Sequence, residues 1–256
     1  MNPEVNTWLQ VIFRWAHVIA GVAWIGHLWF FNWVNGPFAK TLGEEKKTVI
    51  PQLMPRALFW FRWGAAWTWI TGLMLLGLVY YMGGALFDDP ATGNMGMAAG
   101  LLVASLVAAG IYDVIMSSIK NVVAANTVSL VLLAVMYYVM KEVGGFGGRA
   151  LYIHVGAMFG TAMAMNVWMR IWPAQKKIIP AIKEGVAPDG KLAAMATLRS
   201  RHNTFMSMPL LFLMVSNHYP TIYGSPNAHY YLAGIIAVGF LATRMLYNKA
   251  AKVEGM

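Results

Sequence analysis

Six histidines, a scattering of arginines and a few acids are the groups in this 256-residue chain able to ligate metal, move protons or grip an anion. Two of the histidines, His17 and His27, share one apolar stretch with Arg14: FRWAHVIAGVAWIGHLWFFNWVN, residues 13–35. On a helix their spacing is a rise of about 15 Å and a turn of about 80° around the axis, at about 100° per residue. They therefore belong to two different sites and do not hold one metal together.

Histidines at matched depth on separate membrane helices hold b-type haem. Neutral imidazoles supply both axial nitrogens and the helices supply an apolar slot. His17 with His154 is the favoured iron-ligating pair, His218 is a competing ligand, and Arg14 is placed to meet a propionate. Gly21 and Gly156 would let a flat macrocycle approach the backbone. One haem b fits this pattern, and His27 with an inner partner leaves room for a second. The plainer reading is that these rings hydrogen-bond inside the protein. His229 reads as an interfacial residue.

A second polar group falls near the opposite ends of the apolar segments: His27, Arg56, Arg62, Asp113, Asn166, Arg170, His202, Asn203 and Arg244. Arg56, Arg62 and Asn166 suit a planar anion held by fork-like hydrogen bonds. His27, Asp113 or His202 suit a proton transfer. The aromatic run WFRWGAAWTW offers a stacking wall. Against this, arginines near a helix end commonly snorkel to lipid phosphate, and Asp113 has basic neighbours to pair with. The 19 methionines read as lipid-facing and core-filling side chains. The GGFGG of 144–148 lacks the GxxxxGK[ST] pattern and reads as a flexible turn.

The elements that must position these groups are transmembrane helices. The chain is 59% hydrophobic with only 11% charged residues, against about 25% charged in soluble domains. Several apolar stretches exceed the roughly 20 residues that cross a bilayer. The expected fold is an all-α polytopic bundle of about seven helices in a single domain, 1–256. The helices are expected at about 8–35, 57–83, 95–117, 124–140, 149–172, 203–218 and 229–247, the fifth stopped by Pro173. Loops 36–56 and 171–201 are basic, whereas 84–94 holds Asp88 and Asp89 and 219–228 is uncharged. The positive-inside rule then puts the N-terminus outside and the C-terminus in the cytoplasm.

The formal charge of +9 is a topology signal concentrated in those loops, not a nucleic-acid footprint. Cysteine is absent, which excludes disulfides, cysteine-ligated iron–sulfur clusters and CxxCH haem attachment. The N-terminal residues lack the basic start and small-residue cleavage site of a signal peptide.

Four long stretches resemble the bacterial membrane-bound urate hydroxylase family, or urate oxidase N-terminal membrane domain. They are HVIAGVAWIGHLWFFNWVN, PQLMPRALFWFRWGAAWTWITG, NVWMRIWPAQKKII and RHNTFMSMPLLFLMVSNHYP. The resemblance implies a multi-pass protein of the bacterial inner membrane that oxidises urate to 5-hydroxyisourate with haem, dioxygen not being the direct electron acceptor. It marks His17, His27, Arg56, Arg62, Asn166 and His218 as positions of interest. Family members often carry a further helix and a C-terminal cytochrome c domain. Here the expectation is a separate cytochrome c or other respiratory carrier as acceptor. The AHVIAG and WIG of the first helix are also similar, over a shorter stretch, to haem-binding protoporphyrinogen oxidase and copper-resistance membrane proteins. Three alternatives stay open: a porphyrinogen oxidase-like enzyme, a b-haem electron-transfer subunit, and a transporter of a metal or small anion.

Overall fold

The computed structural model describes residues 2–253, apart from the Thr92 side chain, and the protein is all-α. Helix α1 covers Pro3–Trp29 and runs on through a π-helical turn, Phe30–Asn35. Helix α2 covers Lys46–Leu76 and ends in a second π turn, Gly77–Tyr81. Helix α3 is Met95–Ser118, and α4 is Val122–Tyr138 with a π turn at Val139–Val143. Helix α5, Gly148–Met165, passes through the π turn Asn166–Ile171 into α6, Trp172–Lys183. Helix α7 is Gly190–Ser216, α8 is the short Pro220–Tyr223, and α9 is Ala228–Ala250.

Among the described residues six helical stretches are long and apolar enough to cross a membrane. The chain is a multi-pass membrane protein. Helix α7 is as long as α1 but carries Lys191, Arg199, Arg201 and His202 in its first half, so its hydropathy falls short.

Three expected boundaries change. Helix two begins at Lys46, not 57, with Pro51 and Pro55 inside it. Pro173 does not end the fifth crossing. The wider π turn before it re-sets the hydrogen-bond register. Pro173 then falls in the first turn of α6, where its missing N–H costs nothing. The stretch 171–201, expected as a basic loop holding a short surface helix around Lys191 to Arg199, is mostly helix. Its second helix starts at Gly190 because Asp189 caps it, its Oδ1 accepting from the N–H of Lys191 at 2.8 Å and of Leu192 at 3.2 Å.

The chain divides into two compact units, with α1, α2, α5, α7 and α9 contributing to both. The first unit takes residues up to Arg14, Thr71–Ala162 and Pro209–Ile236. It contains α3 and α4, whose starts are capped by the side chains of Asn94 and Asn121. It also contains the 144–148 turn, which is packed and not loose. Gly145 has φ +66°, the Gly147 N–H donates to the Leu86 carbonyl at 3.0 Å, and a Cβ on Gly148 would strike the Tyr223 carbonyl oxygen. The second unit takes Trp15–Ile70, Met163–Met208 and residues from Ala237 on. Here α1 and α2 touch at Gly64, where a Cβ would lie 3.0 Å from the Trp24 nitrogen and 3.2 Å from the Ala20 carbonyl oxygen. Helices α6 and α7 share a small core of Ala174, Ile178 and Ala196, flanked by Leu192 and Met195.

Candidate functional site

The first unit centres its polar groups on His154, which is buried on α5. Its Nδ1 lies 2.7 Å from the Ala150 carbonyl oxygen. A carbonyl only accepts, so Nδ1 carries the proton and Nε2 of the neutral ring is an acceptor. The Tyr81 hydroxyl, 3.0 Å away, donates to it, in competition with the Ala98 carbonyl at 3.3 Å. Phe146, Tyr81 and Tyr80 set their rings edge-on to the imidazole with centroids at 4.9, 5.8 and 6.1 Å. The Tyr80 hydroxyl donates to Asn217 Oδ1, which also accepts from Arg149 Nε at 3.3 Å. The π turn at Gly77–Tyr81 presents these two consecutive tyrosines, as such turns often do at functional positions.

Other expected residues also belong to this unit. Arg14 is exposed and donates to Gln10 Oε1 at 3.2 Å, and His218 is exposed beside Asn217. Asp113 lies half-buried on α3, its carbonyl accepting from the Ser117 hydroxyl at 2.7 Å. Gly156 serves helix packing, its missing Cβ leaving room for Met214 and Leu213.

The second unit holds most of the amide and guanidinium groups. On α7 the stripe Arg199, Asn203, Ser207 is buried, with Arg199 only 1% exposed. Arg199 Nη1 donates to Asn166 Oδ1 at 3.3 Å, Asn166 Nδ2 to Asn203 Oδ1 at 2.8 Å, and Asn203 Nδ2 to the Met163 carbonyl at 2.9 Å. Asn166 is the first residue of a π turn, which frees its side chain to reach α7. Around this chain, Trp29 Nε1 donates to Ser207 at 3.0 Å and Asn32 Nδ2 to Ser200 at 2.8 Å, while Tyr247 donates to Asn32 Oδ1 at 2.7 Å. His202 is half-buried next to Arg201, whose guanidinium lies 5.2 Å from the Tyr247 ring.

His27 repeats the arrangement of His154. Its Nδ1 lies 2.7 Å from the Ala23 carbonyl oxygen one turn back, so Nδ1 is the donor and Nε2 presents a lone pair. The T-shaped pair of Phe31 and Phe61 stands nearby. His17 is half-buried and hydrogen-bonds at the Thr68 backbone, and Gly21 faces the Thr68 side chain. Arg56 is exposed, with Nη1 donating to the Gln52 carbonyl. Arg62 lays its guanidinium 4.0 Å from the Trp172 ring centroid, with Phe59 and Trp168 at 5.8 and 5.9 Å.

Of the expected iron pair, His17 belongs to the second unit and His154 to the first. Of the expected inner residues, Asp113 alone of the proton-transfer candidates belongs to the first unit. Residues the sequence did not single out are Tyr81, Asn217, Arg199 and Trp172. Arg199 was legible as one end of a polar stripe at i, i+4 and i+8, once 190–203 is read as helix. Among the described residues no three His, Asp or Glu side chains converge on a common metal position.

Six long apolar helical stretches among the described residues, with a buried guanidinium and two amides joined within the second unit, define an all-α multi-pass membrane protein. No curated protein and no solved structure matches the chain. A family model does, over residues 41–255: the chain belongs to the urate oxidase N-terminal family.

Proposed function

We propose that the protein is the membrane part of a haem-dependent urate-oxidising system. Family membership over residues 41–255 carries this reading, and the polar interior of the second unit supports its substrate class. Urate is a planar anion rich in amide edges. Arg199 offers it positive charge, and Asn166 and Asn203 offer amide groups that are already aligned and held, so little ordering remains to be done on binding. His27 is the proton acceptor of choice, since its Nε2 lone pair is fixed by the Nδ1–H bond to Ala23; His202 is the second candidate. Conversion of urate and water to 5-hydroxyisourate releases two electrons and two protons. The hydroxyl oxygen comes from water.

The imidazoles fit a haem b at one or two positions. A haem ligand is a neutral imidazole whose other nitrogen donates to a fixed acceptor, and both His154 and His27 have their Nδ1–H on a backbone carbonyl. His154 would hold iron through Nε2 after exchanging the Tyr81 hydroxyl. The bound haem supplies one-electron redox capacity, and a separate cytochrome c or other respiratory carrier takes the electrons. Lysine-rich 36–56 and 171–201 favour the cytoplasmic side for these segments and for the C-terminus, with the N-terminus outside, in a bacterial inner membrane.

Visible spectra of the detergent-purified protein, oxidised and reduced, with and without urate, test this. A b-type spectrum that urate reduces is the expected result. A haem spectrum indifferent to urate favours an electron-transfer subunit or a porphyrinogen oxidase. A colourless protein after adequate haem supply overturns the haem reading and favours a transporter.

A further inference from the structure

Helix α2 presents an exposed aromatic strip, Trp60, Trp63 and Trp67. Tryptophans of this kind mark the membrane–water boundary. Beside the strip, two cations converge on one indole: the Arg62 guanidinium lies 4.0 Å from the Trp172 ring centroid and the Lys176 ammonium 5.8 Å from it. Arg62 Nε is buried and has no hydrogen-bond partner among the described residues. The Trp172 face fixes the plane of the guanidinium. Its Nε–H therefore remains to be satisfied, and a guanidinium donor of this kind is matched by an oxygen of a phosphate or carboxylate. Lys176, exposed on the first turn and a half of α6, adds a mobile point charge.

We infer that Arg62 and Lys176, meeting at Trp172 beside the exposed aromatic strip of α2, hold the phosphate of an anionic glycerophospholipid. Acyl chains then run along Trp63 and Trp67, and the headgroup sits where α2 enters the membrane. Charge complementarity selects the occupant: two cations favour a net-negative headgroup over a zwitterionic one, whose own ammonium would meet Arg62 and Lys176 unfavourably. The position explains why an arginine sits six helical residues beyond the exposed Arg56 with no acidic ion-pair partner among the described residues. The inference stands independently of the urate reading, since lipid binding is measured without substrate.

The test is lipid binding to the full chain in a neutral detergent, by native mass spectrometry and by the shift in melting temperature. The probes are phosphatidylglycerol, phosphatidylcholine and inorganic phosphate. Phosphatidylglycerol is expected to bind and to raise the melting temperature; the other two are not. Arg62→Gln with Lys176→Gln should weaken phosphatidylglycerol binding by about tenfold or more. Lys176→Gln alone, at an exposed position, should weaken it severalfold without altering the melting temperature in the absence of lipid. Lys177→Gln, the exposed neighbour, should leave it unchanged. Equal binding of phosphatidylcholine, an equal response to inorganic phosphate, or unchanged phosphatidylglycerol binding in Lys176→Gln and the double variant would each overturn the assignment.

Discussion

His154 and His27 share one local device and belong to different units. Each locks its Nδ1–H onto the carbonyl one helical turn back, so each presents a defined Nε2 lone pair. In the first unit that lone pair faces a tyrosine hydroxyl inside a box of aromatic rings. In the second it belongs to a unit whose polar groups are amides, hydroxyls and arginines. The same tautomer-fixing motif thus recurs beside Tyr81, Tyr80 and Phe146 in one unit and beside Phe31 in the other. Chemistry is assigned by the surroundings and not by the histidine itself.

The comparison breaks most severely if the polar chain of the second unit is cut. Asn203→Leu removes an acceptor from Asn166 and a donor from the Met163 carbonyl. Each orphaned buried group costs about 1–3 kcal/mol. A marked fall in melting temperature and loss of urate binding are expected, measured by thermal unfolding and equilibrium binding in detergent. A variant with wild-type stability would show that Asn203 is not buried between α5 and α7. The matching change in the first unit is smaller. Gly148→Ala forces a Cβ onto the Tyr223 carbonyl and costs about 1–3 kcal/mol through backbone displacement. The folded fraction should bind urate as the wild type does, because Gly148 belongs to the unit without the amide chain.

Much of the architecture was readable in residue types. Uniformly apolar runs announced the membrane helices, and Asn203 and Asn166 stood out as polar residues too costly to face lipid. What misled was local competition. Pro173 signals a helix end, but a π turn at Asn166–Ile171 absorbs it; π turns have no residue signature to compare with a proline or a cap. The basic stretch 171–201 read as a loop with only a short helix around Lys191 to Arg199 because its lysines face outward, while Ile178 and Ala196 hold its two helices together from within. Asp189 before Gly190 was the available cap signal, and Arg199 became visible as a site residue only with that helix. Asp189→Ala should cost about 1 kcal/mol, read as earlier thermal unfolding and faster proteolysis around 184–192, with urate affinity little altered. Pairings such as Tyr81 with His154 join residues far apart in the chain, and residue spacing carries no trace of them.

The gentlest change is the one that separates the two histidines most sharply. Tyr81→Phe removes the hydroxyl that donates to His154 Nε2 and keeps the ring that packs against it. As a lost hydrogen bond it costs about 0.5–1.5 kcal/mol, at the low end because a neutral imidazole nitrogen is a modest acceptor. The Tyr81 hydroxyl and a haem iron are competitors for the same lone pair. If His154 is an iron ligand, the variant should load haem at least as well as the wild type, with an unchanged b-type spectrum, whereas His154→Ala should lose it. If the hydroxyl is instead the permanent partner, both variants should keep the same haem content, and iron ligation would then rest with His27 or His17. Haem content by pyridine haemochrome, measured on Tyr81→Phe, His154→Ala and His27→Ala side by side, distinguishes these outcomes. The sign of the Tyr81→Phe effect matters more than its size: a substitution that weakens the fold yet raises haem loading has removed a competitor, which no purely structural role for that hydroxyl would produce.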